Sequence, residues 1–327
     1  MTESSALTLD GLSLLMVWTA IGVYALAFAA YAIDLAVRVS RVEAPAAELV
    51  TVGDVAPPVA PPAAAVQLQV PPRERERLVW ARIGTALTIL GFALQLSGDV
   101  LRGIAAARVP WANMYEFALT GTLLIVGVFL FALRRYDLRF LGSFLLGMVV
   151  LLLGGATLGF YVEVTPLMDP LRSVWLVIHV FVASLATALF AIACGLSVTQ
   201  LLQHRRESRP SVNTRRGLLR TLPTSEDLEA LAYRFAIIGF IFWTFTLIAG
   251  AIWANDSWGR FWGFDTKEVW TFIIWVLYAG YIHARATRGW RGNRSAWLSI
   301  VGFAAVLFNF TAVNMFFKGL HAYSGLN

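Results

Sequence analysis

Cysteine is nearly missing from this sequence: Cys194 is the only one in 327 residues, and it lies in an apolar run. An internal disulfide, a Cys-x-x-Cys redox pair and a thiolate metal cluster are therefore excluded. Charge is scarce too. Asp, Glu, Lys and Arg make up 14% of the chain against 58% hydrophobic residues, and mean hydropathy is +0.68. These values exclude an ordinary soluble domain and fit a polytopic membrane protein. No stretch alternates as a barrel strand does, which leaves helices to satisfy the backbone inside lipid. The expected fold class is all-α, a polytopic helical bundle. The opening residues, MTESSALTLDGLSLL, lack the basic run of a cleaved signal peptide, so the first apolar segment is expected to remain as an anchor.

A helix needs about 20 apolar residues to cross the hydrocarbon. Eight stretches qualify, near 12–36, 79–98, 114–133, 139–161, 174–201, 233–253, 267–284 and 296–317. In a soluble protein the net charge of +6 would suggest nucleic acid; here topology explains it, and no nucleic-acid partner is expected. Arginines crowd one set of connections, from Arg38 and Arg41 through Arg134 and Arg135 to Arg285 and Arg288, and that side is expected to be cytoplasmic. Both termini then face outward. Five segments are expected: a first span to residue 42, a Pro/Ala-rich cytoplasmic linker at 43–78, spans two to five over 79–202, a basic loop at 203–232, and three spans over 233–327. The linker should be extended, without a core, and His204 in the basic loop should be a solvated residue.

Residues 253–270, WANDSWGRFWGFDTKEVW, stand apart. Trp258, Trp262, Phe264 and Trp270 mix there with Arg260, Asp265, Lys267 and Glu268, between two apolar runs, at what must be the outer interface. A lone Trp in that position is an interface anchor. Several, with charges and with Gly259 and Gly263 that permit close approach, form a platform for a planar apolar cofactor. The segment WGRFWGFDTKEVWTFIIWVLYAGYIHAR resembles the tryptophan-rich WWD signature of the CcsA/ResC family, the haem-handling membrane subunit of System II cytochrome c synthases. Phe264 replaces the usual second Trp and Thr266 the usual Pro. An aromatic face survives the first change; the second removes a fixed φ at a helix start.

Earlier, RVPWANMYEF at 108–117 places Glu116 at the start of an apolar helix, where a carboxylate either caps the helix or serves a function. The resembling family has a similar motif, represented here by Asn113, Tyr115 and Glu116, of unassigned role.

Four histidines complete the candidate chemistry. His179 in LRSVWLVIHV and His321 in FFKGLHAYSG fall on the side of the tryptophan-rich loop, where an imidazole pair can ligate haem iron. Both contexts also resemble the family's two external haem ligands. His283, in YIHARATRGW, is 18 residues from Asp265, about 27 Å along a helix, too far to serve the same iron. The resemblance makes it a ligand at an inner haem site completed by a partner; otherwise it is a histidine favoured at a helix C-terminus. Arg172, Arg260 and Lys267 are outer cations able to meet haem propionates.

The resemblance implies a function: haem b, as substrate, is accepted at His283, moved outward, held by His179 and His321, and offered for thioether attachment to a Cys-x-x-Cys-His apocytochrome c. It implies a ResB-type membrane partner, thiol-reducing proteins that keep the substrate cysteines reduced, and the bacterial plasma membrane as location. Two other readings stay open at this level: a haem exporter or chaperone of the WWD superfamily that performs no ligation, and a carrier of another small molecule whose aromatics form only a belt.

Overall fold

The structure is a computed structural model, and it describes residues 8–42, 79–208, 222–287, 289–317 and 319–320, without the side chains of 38–42 and 170. The Pro/Ala-rich linker, residues 209–221 of the basic loop and His321 lie outside the described residues. The helices are α1 (Leu9–Val42), α2 (Val79–Ala106), α3 (Met114–Ala132), α4 (Gly142–Gly159), α5 (Val174–Glu207), α6 (Ser225–Trp258), α7 (Thr266–Thr287), α8 (Asn293–Phe310) and α9 (Ala312–Phe316). No strand occurs among the described residues.

Each expected span has its helix. Seven are long and apolar enough to cross a membrane, which makes this an integral membrane protein. The one outside that set is α7: its 22 residues reach about 33 Å, but it starts with Lys267 and Glu268 and ends with His283 and Arg285.

The basic loop is shorter than expected. α5 continues to Glu207, its last turn carrying His204, Arg205 and Arg206 where cations complement the helix dipole. His204 is therefore a helical residue rather than a loop residue. α6 begins well before its apolar stretch, because Thr224 accepts from the Asp227 amide and Glu226 and Asp227 fill the first turn.

α5 is the central helix, touching α3, α4, α6 and α8. Its run Ala188–Leu196 is buried throughout, and small residues such as Ala193, Cys194 and Gly195 let neighbours approach. At the side, α1 packs lengthwise on α2. Gly84, Gly91 and Gly98 recur every seven residues and receive Tyr31, Tyr24 and Val17, which recur at the same interval; a methyl group added to Gly91 would come within 2.6 Å of the Tyr24 ring. Tyr24 donates to Gln95 Oε1 at 2.8 Å, and Gln95 in turn donates to the Leu119 carbonyl and to Thr122 on α3.

Candidate functional site

At one end of the bundle α3, α5, α6, α7 and α8 enclose a cavity of about 250 Å3. Trp111 and Phe117 line it from the α3 side, Trp253, Trp258, Phe261 and Trp262 from the end of α6 and the loop after it, and His179 from α5. Phe117 stacks on Phe310 of α8, centroids 5.1 Å apart. His179 is half-buried and lies edge-on to Trp253 at 5.5 Å. Its place depends on Gly250, where a Cβ would meet His179 Cε1 at 2.8 Å.

The tryptophan-rich loop is shaped by hydrogen bonds rather than by packing. α6 stops at Gly259, whose φ of +69° is left-handed and favours glycine. Further along, Asp265 and Glu268 both cap the start of α7. Glu268 Oε2 accepts from the amides of Asp265 at 3.1 Å and Gly263 at 2.8 Å, while its Oε1 lies 3.4 Å from Arg260 Nη1. Asp265 Oδ1 accepts from the Lys267 amide at 2.9 Å, and Oδ2 from the Leu320 amide at 2.8 Å. The loop carboxylate thus also ties down the chain next to His321. Phe264 has φ +58°, a left-handed conformation that is unusual for a bulky residue. It is 80% exposed and stands edge-on to Trp262 at 6.0 Å.

The loop before α3 is held from beneath. Asn113 caps α3 by accepting from the Glu116 amide at 2.9 Å. Glu116 is fully buried and pairs with Arg102 Nε at 3.0 Å and Arg108 Nη1 at 2.8 Å. Arg102, also fully buried, reaches Asp10 at 2.6 Å and the Val162 carbonyl at 2.7 Å. Its guanidinium lies 5.5 Å from the Tyr115 ring centroid. Tyr161 donates to Asp10 at 2.7 Å; burial, with the Asp10 carboxylate beside it, pushes its phenol up to about 12 and keeps it a donor. Trp111 is fixed separately, donating to Thr120, which donates to Asp99.

Of the residues singled out by sequence, the cavity gathers His179, Trp258, Trp262, Lys267 and Asn113. Others stand apart from its wall. Trp270 packs on Phe308 at 4.4 Å, Tyr115 and Glu116 belong to the buried ion network, and Phe264 forms an exposed ledge. Arg172 is 62% exposed and pairs with Asp169 at 3.5 Å. His283 is exposed at the opposite end. There Glu229 binds Arg285 at 3.1 Å and the Gly292 amide at 2.7 Å, joining α6, α7 and α8. His321 lies outside the described residues. Gly250, Phe117 and Asn314 of the cavity wall escape sequence reasoning, because nothing in a single lipid-facing helix marks which glycine or amide faces a ligand.

Residues 111–321 match the family model described as Cytochrome C assembly protein. Among curated relatives, "Cytochrome c biogenesis protein CcsA" of Prochlorococcus marinus (strain MIT 9515) is 33% identical over 75% of this chain and 83% of its own. The protein of the same name from Heterosigma akashiwo (strain NIES-293 / 8280G21-1) is 31% identical over 67% of this chain and 77% of its own. One from Synechococcus sp. (strain CC9902) is 37% identical over 48% of this chain and 58% of its own. A solved structure, "Cytochrome c Heme Lyase CcmF", shares the fold with a TM-score of 0.64 at 16% identity, covering 95% of this chain; the chain spans about half of that lyase, 48%.

Proposed function

Since the chain belongs to the family of cytochrome c assembly proteins, we propose that it is the haem-handling subunit of a cytochrome c synthase, seating haem b as substrate in the cavity between α3 and α8. The observation that carries this reading is the cavity itself: an imidazole on α5 faces a box of indole and phenyl rings built by the tryptophan-rich loop and the loop before α3. That donor set suits a flat apolar ring with a metal at its centre. A porphyrin is larger than the cavity, so the exposed rings of Trp262 and Phe264 extend its seat.

In this reading His179 is one axial ligand and His321 the other; the residue before His321, Leu320, is hydrogen-bonded to Asp265 of the tryptophan-rich loop. The aromatic walls exclude water and hold the ring in one plane. Each thiol of a Cys-x-x-Cys-His apocytochrome adds across a vinyl group: sulfur bonds to one vinyl carbon, the proton goes to the other, and no net oxidation occurs. The apocytochrome's histidine then replaces one axial ligand, and product leaves. With one buried thiol, Cys194, this chain does not keep the substrate cysteines reduced; thiol-reducing proteins do.

His283 belongs to a separate step. Its exposed position near the arginine-rich end suits an inner haem site shared with a ResB-type partner in the bacterial plasma membrane. Phe190 and Tyr278, stacked at 3.6 Å, and the fully buried Ile274 fill the bundle between that end and the cavity. Haem transfer between the sites therefore requires these helices to part, or a path along their outer faces.

The test is covalent haem on a reporter c-type cytochrome in cells whose only synthase is this chain and its partner. His179→Ala and His321→Ala should each reduce the haem-stained product at least about tenfold, as expected when a group that holds the reacting substrate is lost, while His204→Ala leaves it unchanged. Full maturation in both outer-histidine variants would overturn the assignment.

A further inference from the structure

We infer that Lys267 is the group by which the cavity recognises a carboxylate on its ligand, so that the ligand's acid-bearing edge enters in one orientation. The inference rests on the reading of the cavity as a haem seat and deepens it.

Among the described residues lining the cavity, the two with full charges are Lys267 and Glu268. Glu268 is already engaged, by the Gly263 and Asp265 amides and by Arg260. Lys267 is not matched in this way. Its ammonium donates to Asn314 Oδ1, a neutral amide, and it forms no ion pair among the described residues. Asp265, two residues before it, accepts from the amides of Lys267 and Leu320 and forms no ion pair with the ammonium. A cation in a largely apolar wall, hydrogen-bonded to an amide and without an ion pair, favours an incoming anion. The ammonium has three donor protons, so it can bind a carboxylate without releasing Asn314.

The other outer cations are differently placed. Arg172 is 62% exposed, pairs with Asp169 and does not line the cavity. Arg260 lies across Gly263, where a Cβ would collide with its guanidinium, and faces Glu268. Lys267 alone of the three combines a cavity position with no ion pair among the described residues. Haem carries both carboxylates on one edge of the ring. Holding that edge at Lys267 turns the vinyl-bearing side of the ring away from it, toward the incoming thiols.

The experiment compares ferric haem with its dimethyl ester, which lacks the negative charges, by absorption titration of the full chain purified in detergent. The parent should bind the diacid about 10- to 100-fold more tightly than the ester, the usual size of a hydrogen bond to a charged group. Lys267→Met should abolish that preference by weakening haem and leaving the ester unchanged; Lys267→Arg should keep most of it. His179→Ala should instead weaken both ligands. An equal loss for both ligands in Lys267→Met would make the residue structural and overturn the inference. So would a parent that does not distinguish them, or a preference that survives in Lys267→Met; in these cases haem binding itself still stands. A parent that binds neither ligand overturns the haem reading and this inference with it.

Discussion

His179 owes its position to a glycine. With no side chain at Gly250, the imidazole lies against the α6 backbone and meets the edge of Trp253. A methyl group at 250 would sit 2.8 Å from the ring, so the ring must turn or α5 and α6 must separate. Gly250→Ala should therefore lower the yield of mature reporter cytochrome several-fold and shift any haem absorption band, without loss of folded protein. Gly280→Ala is the control, since a Cβ there meets nothing within 4 Å. The histidine and the aromatic loop were legible as residue types with known affinities; the glycine was not, because glycines are common in membrane helices for packing reasons alone. Phe264 adds a second lesson. A left-handed backbone costs a bulky residue about 1–3 kcal/mol, and glycine would avoid that cost. An aromatic held there is consistent with a ring kept for contact, and the loop's hydrogen bonds that impose the conformation could not be read from composition.

Among the elements, the loop before α3 is the best anchored. It forms one cavity wall through Trp111 and is held by Glu116, which sits between two guanidinium groups. Sequence left Glu116 between helix capping and function. Glu116 takes part in the cap, accepting from the Ala112 amide while Asn113 accepts from Glu116's own amide. It also closes an ion network with Arg102 and Asp10 that spans three helices, a pairing that no local spacing rule could give. Glu116→Gln leaves Arg102 and Arg108 without a shared counter-charge in a buried site, and breaking such a pair costs about 3–5 kcal/mol. The variant should unfold in detergent at a clearly lower temperature than the parent, with static light scattering or intrinsic Trp fluorescence as the readout. The exposed Glu226→Gln should match the parent.

For the whole molecule, hydropathy and arginine placement gave the helical bundle and grouped the candidate residues toward one end. The helix α7 shows where that reasoning stops: polar groups at both of its ends lower its hydropathy, though it packs on α6 and α8 and begins at the cavity. Nor could periodicity show that Phe190 and Tyr278 fill the middle of the bundle, because an apolar helix in lipid does not reveal which face meets protein. The result is a molecule with its aromatic cavity at one end, an exposed histidine at the other and packed rings between them. The proposal that haem occupies the cavity and is ligated by His179 has a direct test. The most direct measurement is the absorption spectrum of the full chain, co-expressed with a ResB-type protein and purified in detergent, beside a His179→Ala variant. A low-spin, bis-histidine spectrum in the parent that changes in the variant is the predicted result. An identical haem spectrum in both would move the occupied site to His283, and no haem in either would contradict the claim outright.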